Sequence, residues 1–161
     1  MNTREFYSHC FQADKPKFVR VLQAVPEDKT SYRPHPSSRT AGDLVWLLAS
    51  ELSDACVVAD RGEVEYVDTP APATVAESVA AYERNAAELE KRISSMDDAA
   101  WERKARFLVG GQVAWETTVG EMLFGFLFDA IHHRGQLSAY LRPMGAKVPS
   151  IYGPSADDPG M

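Results

Sequence analysis

"TVAESVAAYERNAAELEKRISSM", residues 74–96, is the stretch whose reading decides the fold class. Its apolar residues fall at Val75, Val79, Tyr82, Ala86, Leu89, Ile93 and Met96. Those alternating steps of four and three place them along one face of an α-helix. Thr74, followed three residues later by Glu77, forms a capping-box pattern in which each side chain satisfies a free amide at the helix start. A helix with such a stripe is stabilised mainly by packing that stripe against other elements, so the rest of the chain must supply partners.

Further helices follow on both sides. Upstream, Thr40 is the N-cap expected for "TAGDLVWLLASELSDACVVA", with Asp43 in the first turn where the helix dipole favours negative charge. Leu44, Leu47, Leu48, Leu52, Ala55 and Val58 supply its apolar face. Residues 2–24 form another helical pattern, with Phe6, Cys10, Ala13, Phe18, Val21 and Val25 near one stripe. Pro16 lacks an amide donor and crowds the carbonyl of Gln12, which predicts a kink or a helix in two pieces. Between these two helices "VPEDKTSYRPHPSS" carries three prolines and no periodicity, the mark of an extended connection.

Downstream of residue 96, "RKARFLVGGQVAWE" (103–116) has β-favouring residues on both sides of Gly110 and Gly111. It reads either as a short β-hairpin or as an irregular loop with a chance glycine pair. "TTVGEMLFGFLFDAIHHRGQLSAYLR" then makes the last long helix, stopped near Pro143 and Gly145. In the Pro- and Gly-rich tail, Ile151 and Tyr152 are the residues that could pin the chain to the body. The expected fold is all-α, a four-helix bundle over a single domain, 1–161, with either a short β-hairpin or a loop between the third and fourth helices.

A chain of 161 residues, 45% hydrophobic, suits one core of this kind. The formal charge of -6 and the lack of any Lys or Arg run argue against nucleic acid as a partner. No secretory leader or membrane span is read from the apolar runs, which are broken at Glu51, Gly125 and Asp129. Cys10 and Cys56 lie in apolar helical patterns and are expected to be reduced thiols, which fits a cytoplasmic protein.

In bundles, sites are built from polar side chains that project between facing helices. On the last helix the stripe Met122, Phe126, Asp129, His133, Leu137, Tyr140 contains two such groups. Asp129 and His133, four apart, share a helix face, whereas the adjacent His132 and His133 diverge by about 100°. The D-x-x-x-H spacing offers a metal one carboxylate oxygen and one imidazole nitrogen. A third ligand would have to come from a facing helix, and Glu51, one turn beyond Leu47, is the candidate. The alternative is a buried structural pair in which Asp129 and His133 satisfy one another. His9 and His35 are expected in surface or capping roles, and His132, grouped with Phe128 and Gln136, on a neighbouring face toward solvent or a second subunit. Tyr7, Trp46, Trp101 and Trp115 read as core or interface aromatics.

"DAIHHRGQLSAYLRPMG", "VPSIYGPSAD" and "VPEDKTSYRPHPSSRTAGDLVWLLASE" together resemble the DinB-like family of bacterial four-helix-bundle proteins, over nearly the whole chain. The resemblance implies an up-down-down-up bundle, often a homodimer. It also implies a divalent-metal site of three histidines, typically holding nickel or zinc, in proteins that include transferases and isomerases using low-molecular-weight thiols. The family's last histidine falls on His133, its partner four residues earlier on Asp129, and the second-helix histidine on Leu47, which cannot ligate. A rearranged site of Glu51, Asp129 and His133 would be oxygen-rich and would turn preference away from thiophilic metals and toward iron, manganese or zinc, within a candidate set of zinc, nickel, manganese and iron. Two functions follow from the resemblance: a degenerate metal centre serving a thiol-dependent transferase or hydrolase, or a non-catalytic dimeric small-molecule-binding or scaffold protein that has lost the metal.

Overall fold

The computed structural model describes residues 1–160. In chain order the elements are α1 (Thr3–Gln23), α2 (Ala41–Arg61), β1 (Glu63–Glu65), α3 (Val75–Ser95), α4 (Asp98–Trp101), β2 (Lys104–Val109), β3 (Gln112–Thr118) and α5 (Val119–Leu141). Each long helix starts at a side-chain cap: Asn2, Thr40, Thr74 and Thr118 accept from the amides of Glu5, Asp43, Glu77 and Glu121. Such caps contribute about 1 kcal/mol each. Pro16 does not divide α1; the helix runs through it as one element.

The long helices form a ring in which α1 and α2 each pack against α3 and α5. Their directions follow from which residues meet. Asn85 donates to the Ala49 carbonyl and Arg92 pairs with Asp60, both in ascending order, so α2 and α3 run parallel. Tyr7 meets Phe124 and Asp14 meets Arg134, so α1 and α5 are parallel too. Arg4 reaches Ile93 whereas Phe18 stacks on Tyr82, which makes α1 and α3 antiparallel. The bundle is therefore up-down-down-up. Parallel neighbours cannot be joined by a tight turn, and the connection from α2 to α3 accordingly crosses the length of the bundle, laying down β1 on the way.

β1 pairs parallel with β2, and β2 antiparallel with β3, in a three-stranded sheet ordered β1-β2-β3. The glycine pair is a true hairpin turn: Gly110 and Gly111 have φ of +59° and +74°, both in the left-handed region that such two-residue turns require. The sheet lies against α5, where the Trp115 ring occupies the space that a Cβ on Gly125 would fill.

The buried line of α1 is Tyr7, Phe11, Asp14, Phe18, Val21 and Leu22; it meets the expected stripe at Phe18 and Val21 but lies one step round from it in the first half, which leaves Phe6 exposed. On α5 the deepest line is Leu127, Ala130, Arg134, Leu137 and Leu141. Arg134 is 1% exposed, pairs with Asp14 at 3.2 Å and lies over the Phe18 ring. Tyr152 closes this pair from the tail: its hydroxyl donates to Asp14 and accepts from Arg134 at 2.6 Å. Among the described residues no helix is long and apolar enough to cross a membrane. Cys10 and Cys56 are free thiols, Cys56 buried.

Candidate metal centre

Leu47 and Glu51 sit one turn apart on α2, and Asp129 and His133 one turn apart on α5. Because α2 and α5 are antiparallel neighbours, the two pairs meet across the groove between them. Candidate ligand atoms of Glu51, Asp129 and His133 all lie within 4.8 Å of one another. Among the described residues this is the one group of three acidic, histidine or cysteine side chains so arranged. The groove opens into a cleft of about 370 Å³ walled by Leu47, Phe126, Phe107 and Val109, with Arg39 and Tyr66 at its rim. A second arm of about 420 Å³ shares Arg39, Leu47, Glu51, Asp54 and Tyr66 with it and extends past Trp46, whose indole N–H is held by Thr69.

The depth of the three groups differs. The side chain of Asp129 is 53% exposed and that of His133 17%, so Asp129 is not the buried carboxylate its place in the stripe implied. The true interior line passes through Ala130 and Arg134, and a residue one position away is rotated about 100° toward the edge. Asp129 and His133 therefore line a solvent-open cleft, with His133 Nε2 3.3 Å from Asp129 Oδ2. His133 is held on its other side by Gln136, whose Oε1 is 3.1 Å from Nδ1. His132 does not face the cleft and is exposed; His9 and His35 are exposed as well.

Glu51 is the deep member. Its Oε2 is buried and has no hydrogen-bond partner. Burial pushes its carboxyl up to about 9, with the adjacent Asp129 and then Asp54 acting in the same direction and Arg39 against them. Burial also raises Asp54, to about 6. A carboxylate left this way is costly unless a proton or a cation sits beside it. The donor set of two carboxylates and one imidazole suits zinc, manganese or iron, and three protein donors leave positions open for a small molecule. Leu47 lines the same cleft and offers only methyl groups.

The buried Arg134–Asp14 pair escaped the sequence reading. Its signal was present: Arg134 has Ala130 four before it and Leu137 and Leu141 three and seven after, and Asp14 lies between Phe11 and Phe18 at helical spacing.

The sequence matches the DinB family over residues 1–160. Among solved structures, a DinB-like protein from Bacillus cereus ATCC 10987 superposes with a TM-score of 0.76 at 16% identity, covering 92% of this chain and 97% of that one. YfiT from Bacillus subtilis, described as a probable metal-dependent hydrolase with an unusual four-helix bundle topology, superposes at 0.70 with 12% identity and 89% of each chain covered. The mycothiol-dependent maleylpyruvate isomerase superposes at 0.54 with 15% identity, over 92% of this chain and 63% of the enzyme. No curated protein matches the sequence.

Proposed function

The chain belongs to the DinB family, and from that premise we propose that it is a divalent-metal-dependent enzyme whose centre is held by Glu51, Asp129 and His133. Its reaction is hydrolysis or thiol-dependent group transfer, the chemistries named for YfiT and, in its thiol dependence, for the maleylpyruvate isomerase. The observation that carries the reading is the buried Glu51 Oε2 without a partner, facing two further donors within 4.8 Å. Bound there, a divalent ion supplies Lewis acidity that lowers the pKa of a water or thiol.

The chain's own residues supply the rest. Glu51 anchors from the protein interior, and Asp129 and His133 approach from the solvent side. Phe107, Phe126 and Leu47 give the cleft an apolar wall that excludes bulk water from the reacting side and receives the carbon skeleton of a substrate. Asp54, raised by burial to about 6, holds or releases a proton near neutrality at its carboxyl. Arg39 at the rim attracts an anionic group.

A second reading, a metal-free small-molecule-binding protein, is favoured by Leu47, which stands where the family has a ligand. Elemental analysis separates the two. After incubation with zinc, manganese, iron or nickel and removal of excess, the protein retains about one ion per chain, and Asp129→Ala and Glu51→Gln lose it. Retention of none, with a thermal midpoint indifferent to all four ions, would leave the metal-free reading standing.

A further inference from the structure

The two adjacent histidines of α5 are joined through a third side chain. Gln136, one turn from His132 and three residues from His133, touches both imidazoles. Its Oε1 is 3.1 Å from His133 Nδ1, and its Nε2 is 2.7 Å from His132 Nε2. A carboxamide is polarised: its oxygen only accepts and its nitrogen only donates. With the oxygen toward His133, that ring must carry a proton on Nδ1. With the nitrogen toward His132, that ring must present a bare Nε2 and carry its own proton on Nδ1.

We propose that Gln136 is a positioning residue for the cleft: anchored by His132, it fixes His133 with Nδ1–H turned outward and Nε2 presented to Asp129 and Glu51. The reasons are geometric. His133 Nε2 is the nitrogen on the Asp129 side, at 3.3 Å, so a ligand in the cleft meets that atom. A free imidazole rotates and exchanges tautomers, and the lone pair is then aimed correctly only part of the time; a fixed acceptor on Nδ1–H removes that freedom. Gln136 alone does not decide the matter, because an amide can turn over and offer its NH₂ instead. The tautomer of His132 decides it: with its proton on Nδ1, this exposed ring outside the cleft can only accept at Nε2, which keeps the amide nitrogen there and the oxygen on His133. The adjacent histidines thus divide the work, one facing the cleft and one holding the residue that orients the first.

The consequence for metal affinity rests on the proposed metal centre; the proton positions do not. Two measurements keep these apart. In metal-free protein labelled with ¹⁵N-histidine, at a pH where His132 is neutral, its ring shows the Nδ1–H tautomer, and Gln136→Leu returns it to the Nε2–H form ordinarily favoured in water. Nε2–H on His132 in the unmodified protein means the amide is turned over and overturns the proposal, whatever the metal result.

Zinc competition with a chromophoric chelator forms the second arm. Gln136→Leu weakens zinc binding by about 10- to 100-fold, the usual cost of losing a partner that orients a ligand. Gln136→Glu, whose carboxylate accepts at either oxygen, retains it. His132→Ala weakens zinc binding in the unmodified background but not when combined with Gln136→Glu, because a carboxylate has no wrong end to anchor. Equal losses in Gln136→Leu and Gln136→Glu, or none in Gln136→Leu, would show that Gln136 merely packs. If the unmodified protein takes up no zinc, the metal reading fails and the tautomer of His132 decides the relay.

Discussion

Glu51 is placed where a carboxyl group is stable only when neutral or matched with a cation. Unfolded, it ionises near 4.5; folded, near 9. Between these values the folded protein holds a proton that the unfolded chain has released, so stability falls as pH climbs through that window. Glu51→Gln is neutral at every pH and escapes the penalty. In chelator-treated protein the variant should unfold at higher urea than the parent at pH 8, by on the order of 2 kcal/mol, with the gap nearly closed at pH 4.5. Saturating zinc should reverse the ranking, since an ion that binds only the folded state stabilises it. At this scale the sequence was partly legible. Glu51, Asp129 and His133 could be brought together from helical spacing and a facing helix alone. Their depth could not, because on α5 a 100° step separates the core line from the cleft and Leu137 belongs to both.

At the scale of elements, the cleft depends on a sheet that is docked rather than threaded. β2 contributes Phe107 and Val109 to the wall, and it is seated through β3, whose Trp115 lies against the bare backbone of Gly125. A Cβ there would overlap the indole. Gly125→Ala should therefore lift the hairpin from α5 and cost about 1–3 kcal/mol of stability, read by thermal melting together with a red-shifted, more quenchable tryptophan emission. Trp115→Ala combined with it should recover part of the packing loss at α5.

The second and third long helices were readable because cap and stripe agree in each, and the first and last from their apolar patterns alone. The hairpin was readable as one of two outcomes from Gly110–Gly111. β1 was not, because three residues paired in parallel with a segment far along the chain leave no local periodicity, and the single turn α4 is too short to carry one. On α1 the second half of the expected stripe, Phe18, Val21 and Val25, is buried, but its first half lies one step off: Phe6 and Cys10 repeat as regularly as Tyr7 and Phe11, and only the neighbours decide between them.

For the whole molecule, α1, α5 and the tail are tied by one buried polar knot. Asp14 would be raised by its burial, but hydrogen bonds from Lys17 and Tyr152 and the charge of Arg134 outweigh this and hold it below the usual carboxylate range. A group lowered in this way contributes stability that is complete above its unfolded value of 3.8 and is lost as pH falls through the lower folded one. Asp14→Asn should accordingly be less stable than the parent at pH 6 in urea, and the difference should shrink as pH drops below 3.8. Tyr152→Phe, which keeps the ring over Lys17 and Arg134 but removes the hydroxyl, should cost about 1 kcal/mol. Arg134→Met leaves the Asp14 carboxylate with Lys17 and Tyr152 as partners and should cost about 1.5–3 kcal/mol, the loss of one charge-assisted hydrogen bond.

The crossing link between the parallel α2 and α3 has a bearing on how the protein is born. Glu51 leaves the ribosome well before the segment carrying Asp129 and His133, and β1 must wait, unpaired, for β2. A nascent chain halted before α5 thus has three of the four long helices and no cleft, with the α2 surface around Glu51 and Leu47 open to chaperones or aggregation. An ion held by the three proposed ligands together would mark completed synthesis.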